Sequence, residues 1–299
     1  MWYPYIPYGK ITIVQGDPGE GKTTVMLNII SSLSNGEVLP FTDKAVTITS
    51  IYQNAEDDNS DTIKPRLENH KANCSKVCFI EKASGLLFLD DDSIEKAIIE
   101  ANAKLLVLDP IQAFIGDNVD MNRANSIRPK MNKLKDVAEK TGCAIVLVGH
   151  MNKNSSGKAN YRGLGSIDIS AAARSVLVVG KMGKNSDLRV FAHLKSNLAP
   201  RGKSLSFLIK NDVIEWQGEC ELSADEVLAG GVSDASGKMS LAEEFLIEKL
   251  TDDLVPAKQL FEEAEQIGIS KRTLKRAKVA LQISSIKRND CWYWVMKNE

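Results

Sequence analysis

The feature that most constrains this chain is a glycine-rich pattern close to its amino terminus. Residues 16–23 read G-D-P-G-E-G-K-T and fit G-x-x-x-x-G-K-[ST] at every fixed position. A β-rich run (KITIVQG) precedes the pattern, and a run with helical spacing (KTTVMLNIISSL) follows it. In this setting backbone N–H groups curl around phosphate oxygens, and the helix amino terminus adds partial positive charge. The pattern therefore predicts a strand–loop–helix unit that binds a nucleotide.

Side chains in and beyond this pattern predict a magnesium–nucleotide site. We expect Lys22 to reach the β- and γ-phosphates, the Thr23 hydroxyl to ligate Mg²⁺, and Thr24 to lie near the α-phosphate. Asp109 ends the apolar run LLVL, as a second carboxylate of the magnesium shell must. A guanine-reading N-K-x-D motif is absent, since residues 152–155 read N-K-N-S. ATP and Mg²⁺ are therefore the predicted cofactors. The predicted cofactor contacts are Gly16, Asp17, Pro18, Gly19, Glu20, Gly21, Lys22, Thr23 and Thr24.

Strand-like and helix-like segments alternate through the first half of the chain. Helix-like stretches, notably Asp91–Asn102 and Asn122–Thr141, separate compact apolar runs rich in β-branched residues. This alternation predicts an α/β fold whose parallel sheet is covered by helices on both faces. After His150, strand-like runs follow one another without helices, which predicts an antiparallel edge. The predicted strands are Lys10–Gly16, Val46–Tyr52, Val77–Glu81, Lys104–Asp109, Cys143–His150, Arg174–Val179, Leu188–Leu194, Ser204–Ile209 and Val213–Trp216.

The last 81 residues of the chain have a different organisation. Residues 219–239 are small, polar and acidic, with five acids against one lysine, and we predict a linker there. Residues 240–299 contain three helix-like segments and then two short strand-like runs around Asn289-Asp290, which is a winged-helix pattern. The predicted domains are an ATPase domain over 1–218, the linker, and a winged-helix domain over 240–299.

The composition argues against membrane-spanning and secreted classes. The longest apolar runs, residues 105–108 and 144–148, are far shorter than the roughly 20 residues of a membrane span. The first ten residues lack the basic and apolar segments of a secretory signal. Five cysteines, an odd number, favour reduced thiols over a disulfide framework. We therefore predict a cytoplasmic protein.

Hydrolysis of a nucleotide also requires a group that orients or deprotonates water. Glu56 and Asp57 follow the second predicted strand, so they lie on the same edge of the sheet as the phosphate loop. Their chemistry makes the two acids near-equal candidates, and a solvated turn acid is the alternative. His150 ends a neighbouring strand, where an imidazole could either sense the γ-phosphate or simply pack.

Six segments, taken in order, resemble the RecA-like hexameric replicative helicases. They are GDPGEGKT, AED, LLVLDPIQ, LVGHMNK, RGLGSIDISAAARSV and KSNLAP, and they span roughly residues 1–217. The similarity is greatest to the small plasmid-encoded replication helicases and to ATPases of the AAA type in phages and mobile elements. The resemblance implies a RecA-like P-loop ATPase core with a mostly parallel sheet and an antiparallel edge.

The same resemblance implies roles for individual residues. In that family the acid of A-E-D is the catalytic carboxylate, which selects Glu56 over Asp57. The histidine that ends the following strand acts as a sensor and matches His150. An arginine downstream completes the active site of the neighbouring subunit and matches Arg174, with Lys195 as a second possible cation in trans. The implied assembly is a homo-hexameric ring on single-stranded DNA that works with replication proteins.

Two basic segments are candidate DNA contacts. Residues 151–166 are rich in glycine and lysine and offer cations to backbone phosphates, although a mobile surface loop has the same composition. The last predicted helix, Ser270–Leu281, carries basic residues as a DNA-recognition helix does, and protein docking is the alternative. The candidate DNA-binding residues are Lys153, Lys158, Arg162, Lys271, Arg272, Lys275 and Arg276.

Together these features predict an ATP-dependent DNA helicase or translocase that acts in replication. Two other functions are compatible with the same motifs. A RecA- or RadA-type recombination or repair ATPase would form filaments and pair strands. A nucleotide-switched DNA-binding regulator would hydrolyse ATP slowly and act through residues 240–299.

Overall fold

The computed structural model describes residues 1–56, 58–81, 87–116, 119, 121, 123–151, 167–183, 186–230, 234–250, 254–281, 283–288 and 291–296. Contacts between Cα atoms divide the chain into two compact units, Met1–Gly231 and Val232–Glu299. The strands of the first unit are β1 (Ile11–Gly16), β2 (Ser50–Asn54), β3 (Val77–Cys78), β4 (Leu105–Asp109), β5 (Ala144–His150), β6 (Ser175–Lys181), β7 (Arg189–Ser196), β8 (Ser204–Lys210) and β9 (Val213–Cys220). Its α-helices are α1 (Lys22–Asn35), α2 (Lys64–Asn69), α3 (Asp92–Glu100), α4 (Ala124–Thr141), α5 (Ile167–Ala172) and α6 (Ala224–Leu228).

The first unit is built on one nine-stranded sheet. Its strand order is β3-β2-β4-β5-β1-β6-β7-β8-β9. Neighbours from β3 to β6 pair in parallel, and β7, β8 and β9 are added in antiparallel pairs. The predicted α/β fold with a mostly parallel sheet and an antiparallel edge is confirmed.

The antiparallel edge begins one strand later than the sequence predicted. β6 pairs in parallel with β1, with Thr12 opposite Ser175 and Gln15 opposite Val178. The short helix α5 lies between β5 and β6 and supplies the crossover that a parallel pair requires. The prediction was wrong here because six residues of α5 are too few to show helical periodicity in the sequence.

Both faces of the sheet are buried at its central strands, as their near-continuous apolar sequences predict. Val146 and Val148 of β5 pack into the hydrophobic cluster that contains α1, and Ile145 and Leu147 pack into the cluster that contains α4. Successive side chains of a strand point to opposite faces, so a run without polar interruptions needs cover on both. In the part of the chain that the structure describes, no helix is both long and apolar enough to cross a bilayer.

A buried hydrogen-bond chain fastens the amino-terminal segment to the sheet. The Gly202 N–H donates to Nδ1 of His193 (3.1 Å), and Nε2 of His193 lies 2.9 Å from Oγ of Ser175. Oγ of Ser175 in turn donates to the carbonyl oxygen of Tyr5 (2.6 Å). Burial lowers the pKa of His193 to about 4, so the imidazole is neutral at physiological pH.

The predicted linker begins too early. α6, which lies within residues 219–239, belongs to the first unit and buries Ala224, Val227 and Leu228 in a cluster with side chains of β6 and β7. Its start is fixed by a capping box between Ser223 and Glu226. The acidic composition of the segment concealed this short apolar stripe, in which the buried positions are three and four apart.

The second unit has its own core and its own sheet. Its elements are α7 (Asp234–Leu250), β10 (Val255–Pro256), α8 (Ala257–Gln266), α9 (Lys271–Ala280), β11 (Ser284–Arg288) and β12 (Cys291–Val295). The three strands form an antiparallel sheet in the order β10-β12-β11, and the core includes Leu246, Leu260, Leu274 and Trp294. Three helices followed by a strand pair match the predicted element order, while the winged-helix assignment stays a prediction.

Candidate functional site

The loop between β1 and α1 forms a backbone cradle. Gly19 and Gly21 have φ angles of +77° and +92°, which favour glycine. A Cβ atom on Gly16 would lie 2.1 Å from the carbonyl oxygen of Val179, so the loop lies against β6 with no room for a side chain. Gly21 is the N-cap of α1 and supplies no side-chain cap. The first-turn N–H groups of α1 therefore keep the arrangement in which helix termini bind phosphate.

Lys22, the first residue of α1, is buried against this cradle. Its Nζ atom donates to the carbonyl oxygens of Gly16 (3.0 Å) and Asp17 (2.8 Å). Burial lowers the pKa of Lys22, and the negative charges of Asp109 and Asp17 counteract that shift. The geometry places one ammonium group at the loop, where a phosphate chain would need it.

Asp109 ends β4 next to the cradle and is only 5% exposed. Its Oδ2 atom accepts hydrogen bonds from the Thr23 hydroxyl (2.7 Å) and from the Tyr52 hydroxyl (3.0 Å). Burial raises the pKa of Asp109, whereas the two hydrogen bonds and the charge of Lys22 favour its ionised form. A hydroxyl and a carboxylate in contact are the oxygen ligands that Mg²⁺ prefers, so the predicted pair fits the metal.

Glu56 and His150 lie close together at the carboxyl ends of the parallel strands. Glu56 follows β2, His150 is the last residue of β5, and Oε1 of Glu56 lies 3.8 Å from Nε2 of His150. The Glu56 side chain is 61% exposed, which leaves its carboxylate open to water. Asp57, the competing acid, lies outside the described residues. The structure therefore brings Glu56 and His150 together on the edge that carries the phosphate loop.

Arg174 lies at the opposite end of the parallel strands from the phosphate loop. Its backbone N–H donates to the carbonyl oxygen of Ile11 (2.9 Å), at the start of β1, whereas the phosphate loop follows the other end of that strand. Five residue steps along β1 span about 16 Å, which is beyond the reach of an arginine side chain. Arg174 is thus separated from the nucleotide cradle of its own chain.

Lys195, the other candidate cation for a neighbouring site, has partners within its own chain. Its Nζ atom donates to the carbonyl oxygens of Ser170 (2.7 Å) and Ala173 (3.0 Å), at the carboxyl end of α5. Burial and the charge of Arg174 lower the pKa of Lys195. In the described part of the chain, the Arg174 guanidinium has no hydrogen-bond or ion-pair partner. Of the two cations, Arg174 is the one available to a neighbour.

The predicted DNA contacts fall into two groups. Lys153, Lys158 and Arg162 lie outside the described residues, and so does most of the segment 151–166. The predicted contacts of the second unit lie on α9 with exposed side chains. They are Lys271, Arg272, Lys275 and Arg276.

Sequence reasoning missed a polar cluster beside the cradle. Nε of Arg66 donates to Oδ2 of Asp212 (2.6 Å), and its Nη2 donates to Oγ1 of Thr24 (3.0 Å). Arg66 lies on α2 and Asp212 in the turn between β8 and β9, 146 positions away. Arg189 of β7 also lies beside the loop, since its Nε atom would be 3.8 Å from a Cβ on Gly21. No local pattern in the sequence marks these residues, because register and turn geometry bring them together.

Comparison with known proteins identifies the first unit. The family model described as an AAA domain (AAA_25) matches residues 1–156. Protein RecA of Deinococcus radiodurans is 23% identical over 149 residues, 50% of this chain and 39% of RecA. DNA repair protein RadA of Bacillus subtilis is 25% identical over 150 residues, 50% of this chain and 29% of RadA. The chain therefore matches less than half the length of either relative.

Among solved structures, a KaiC-like protein of Pyrococcus horikoshii OT3 has a similar fold. The two share 19% identity with a TM-score of 0.52, and the match covers 71% of this chain and 90% of that protein. The strand order, the phosphate loop and these similarities agree on a RecA-like ATPase fold for the first unit.

Proposed function

This chain belongs to the AAA domain family and is a RecA-like ATPase, and from that premise we propose that it is an ATP-dependent DNA helicase or translocase acting in replication. In this proposal, subunits form a homo-hexameric ring with ATP hydrolysed at each subunit interface. Hydrolysis is coupled to movement of single-stranded DNA through the ring.

The observation that carries the proposal is the set of contacts at the phosphate loop. The loop backbone and Lys22 would hold the phosphates of ATP, and the oxygens of Thr23 and Asp109 would hold Mg²⁺. Mg²⁺, when bound, neutralises negative charge on the phosphate oxygens. The hydrogen bond from Tyr52 orients the Asp109 carboxylate and favours its ionised form.

Glu56 is the proposed catalytic carboxylate. Its exposed side chain can accept a proton from a water molecule at the carboxyl edge of the sheet. His150, 3.8 Å away, is placed to orient that carboxylate and to respond to the charge beside it. These two residues therefore supply the proton-accepting and sensing groups of the reaction.

Arg174 is proposed to act on the next subunit. It lies at one end of β1 and the phosphate loop at the other, so a head-to-tail contact between two copies would bring the arginine of one to the loop of the other. Head-to-tail contacts of this kind close into rings when the rotation between copies permits. An arginine delivered in trans neutralises charge on the transferred phosphoryl group and makes turnover depend on assembly.

The proposed DNA contacts are divided between the two units. Lys153, Lys158 and Arg162 would contact the single strand in the ring, and the basic face of α9 would contact DNA as part of a winged-helix domain. Docking of a replication protein on the second unit is the competing use of the same face. The surface lined by Arg272, Arg276 and Val279 contains no acid, which favours the nucleic acid, since backbone phosphates need no matching side chain.

The test is ATP turnover of the purified full chain with and without single-stranded DNA, together with the oligomer mass in ATP and Mg²⁺. We expect turnover to rise about tenfold or more with DNA and the mass to correspond to a closed oligomer. A monomer whose turnover ignores DNA would contradict the proposal.

A RecA- or RadA-type recombination or repair ATPase is the second candidate, and the similarity to RecA and RadA favours it. Such a protein assembles on DNA as an open helical filament, which head-to-tail contacts also generate when they do not close. Electron microscopy of the chain with ATP and DNA separates the two candidates, since one gives closed rings and the other continuous filaments.

A further inference from the structure

Helix α9 presents two parallel stripes of side chains with the same spacing, four residues and then three. Residues at this spacing share one face of an α-helix. We call them the lysine stripe and the arginine stripe. Their members are Lys271, Lys275 and Lys278 in the lysine stripe, and Arg272, Arg276 and Val279 in the arginine stripe.

Members of the lysine stripe contact their own unit. Nζ of Lys275 lies 6.0 Å from the ring centroid of Phe261. Nζ of Lys278 lies 5.0 Å from the ring centroid of Trp294 and donates to Oγ of Ser285 (2.5 Å). Such contacts hold the two ammonium groups beside aromatic side chains of the unit.

The arginine stripe faces outward. Arg272 and Arg276 are exposed, and among the described residues neither guanidinium has a hydrogen-bond or ion-pair partner. Val279 is 76% exposed, the highest value among the large apolar side chains that the structure describes. Residues 266–289 contain seven basic residues and no acid. Two forked hydrogen-bond donors and one branched apolar group thus share an exposed face in a basic surrounding.

We propose that the arginine stripe reads base edges in the major groove of duplex DNA and gives the protein a preferred binding sequence. The inference rests on the DNA-binding role of the second unit in the proposed function and adds a duplex ligand to the single strand. An arginine fork matches the O6 and N7 acceptors of guanine, and an apolar side chain packs on the thymine methyl group. The predicted site therefore contains guanines and a thymine.

The dimensions of α9 agree with this reading. A helix with its side chains is about 10–12 Å wide, and the major groove is about 12 Å wide. From Arg272 to Val279 the helix axis advances about 10 Å, which corresponds to roughly three base-pair steps. The lysine stripe then lies to one side of the reading face, where its charges favour the phosphate backbone.

The experiment is selection of the full chain on a random-sequence duplex library, followed by affinity measurements on the selected duplex and on a scrambled one. We expect a guanine- and thymine-containing motif to be enriched. Arg272→Ala and Arg276→Ala should each weaken binding to the selected duplex about tenfold or more, with a much smaller effect on the scrambled duplex. Arg272→Lys and Arg276→Lys keep the positive charge but lose the forked guanidinium donors. These variants should also lose the preference for the selected duplex over the scrambled one.

Uracil substitution tests the apolar contact directly. Replacing the thymine of the selected site by uracil removes only its methyl group. This change should weaken DNA binding by the wild-type protein and leave DNA binding by the Val279→Ala variant unchanged. Lys271→Ala is the matched control, because it should weaken binding to both duplexes equally and reduce the salt dependence by about one phosphate contact.

Two results would overturn the inference: enrichment of no motif, or Arg272→Ala and Arg276→Ala variants that keep the preference. Capture of a protein partner by the same stripe without any duplex preference would overturn it as well. ATP turnover separates its failure from that of the proposed function. If single-stranded DNA stimulates turnover but no motif is selected, only the duplex reader is wrong, and a selected motif with DNA-independent turnover contradicts only the helicase.

Discussion

Tyr52 donates its phenolic hydrogen to Oδ2 of Asp109 across 3.0 Å, and the same hydroxyl accepts a hydrogen bond from Nδ2 of Asn54 across 3.3 Å. Burial raises the pKa of both Tyr52 and Asp109, so the phenol stays a donor and the carboxylate depends on its donors to remain ionised. Tyr52 therefore contributes to the charge and the orientation of the carboxylate that we assign to Mg²⁺.

Tyr52→Phe should raise the Mg²⁺ concentration that gives half-maximal ATP turnover about tenfold. Loss of one hydrogen bond to a charged group costs about 1.5 kcal/mol, and a factor of ten corresponds to about 1.4 kcal/mol. Without the Tyr52 hydrogen bond the pKa of Asp109 should rise further, which should move the acidic limb of the pH–rate profile to higher pH. Magnesium titrations of turnover test this, with the exposed Tyr8 changed to Phe as the control; an unchanged magnesium requirement would contradict the assignment.

Lys22→Ala and Glu56→Gln should affect different steps. Nζ of Lys22 contacts the carbonyl oxygens of Gly16 and Asp17 in the cradle, so its loss should abolish measurable ATP binding. Glu56→Gln removes a proton acceptor and leaves the cradle intact, so ATP should still bind while turnover falls about 10²-fold or more. Equilibrium binding of a fluorescent ATP analogue and steady-state turnover separate the two effects.

Glu68→Gln is the matched control, because Glu68 is an exposed glutamate on α2. It should change neither ATP binding nor turnover. If Glu56→Gln kept full turnover, another acid would be the catalytic group, and Asp57 would be the first to test.

The cradle and the strand-end carboxylate could be predicted from the sequence because their signals are local. Residues 16–23 carry the loop pattern between a strand and a helix, and Asp109 directly ends an apolar run. In a parallel sheet, strand ends that follow such runs lie on one edge, so the neighbourhood of Glu56, Asp109 and His150 also follows from topology.

The rest of the site depends on distances that no local pattern encodes. The contact between Arg66 and Asp212 joins positions 146 residues apart through a turn whose Asp212 has a φ angle of +62°. Tyr52 reaches Asp109 only because β2 and β4 are neighbours, with Asn54 opposite Asp109 in register. α5 and α6 were missed because a helix of one or two turns carries too little periodicity to distinguish it from a loop.

His193 should make the first unit less stable in acid. Its pKa is lowered from 6.5 to about 4 by burial, so between these values the unfolded chain binds a proton that the folded protein does not. The contribution to stability is therefore complete above pH 6.5 and is lost as the pH falls towards 4. Thermal unfolding between pH 7.5 and 4.5 measures it.

His193→Gln provides the comparison, since glutamine can accept the Gly202 hydrogen bond but does not titrate. We expect a lower Tm at pH 7.5 and a fall in Tm between pH 7.5 and 4.5 that is smaller than in the wild type by roughly 5 °C. Equal falls in the two proteins would mean that other groups cause the acid sensitivity.

Arg174→Ala should reduce turnover about 10³-fold and leave ATP binding unchanged, because its own cradle lies at the other end of β1. If Arg174 acts on a neighbour, inactive Lys22→Ala subunits can lend their intact arginine to the intact cradle of Arg174→Ala subunits. In an equal mixture, roughly a quarter of the interfaces would join an intact cradle to an intact arginine. Turnover should therefore recover to about a quarter of the wild-type value. Arg128→Ala, an exposed arginine that lines the same small cavity as Arg174, should keep its turnover. Mixtures that show no recovery would mean that Arg174 does not complete a neighbouring site.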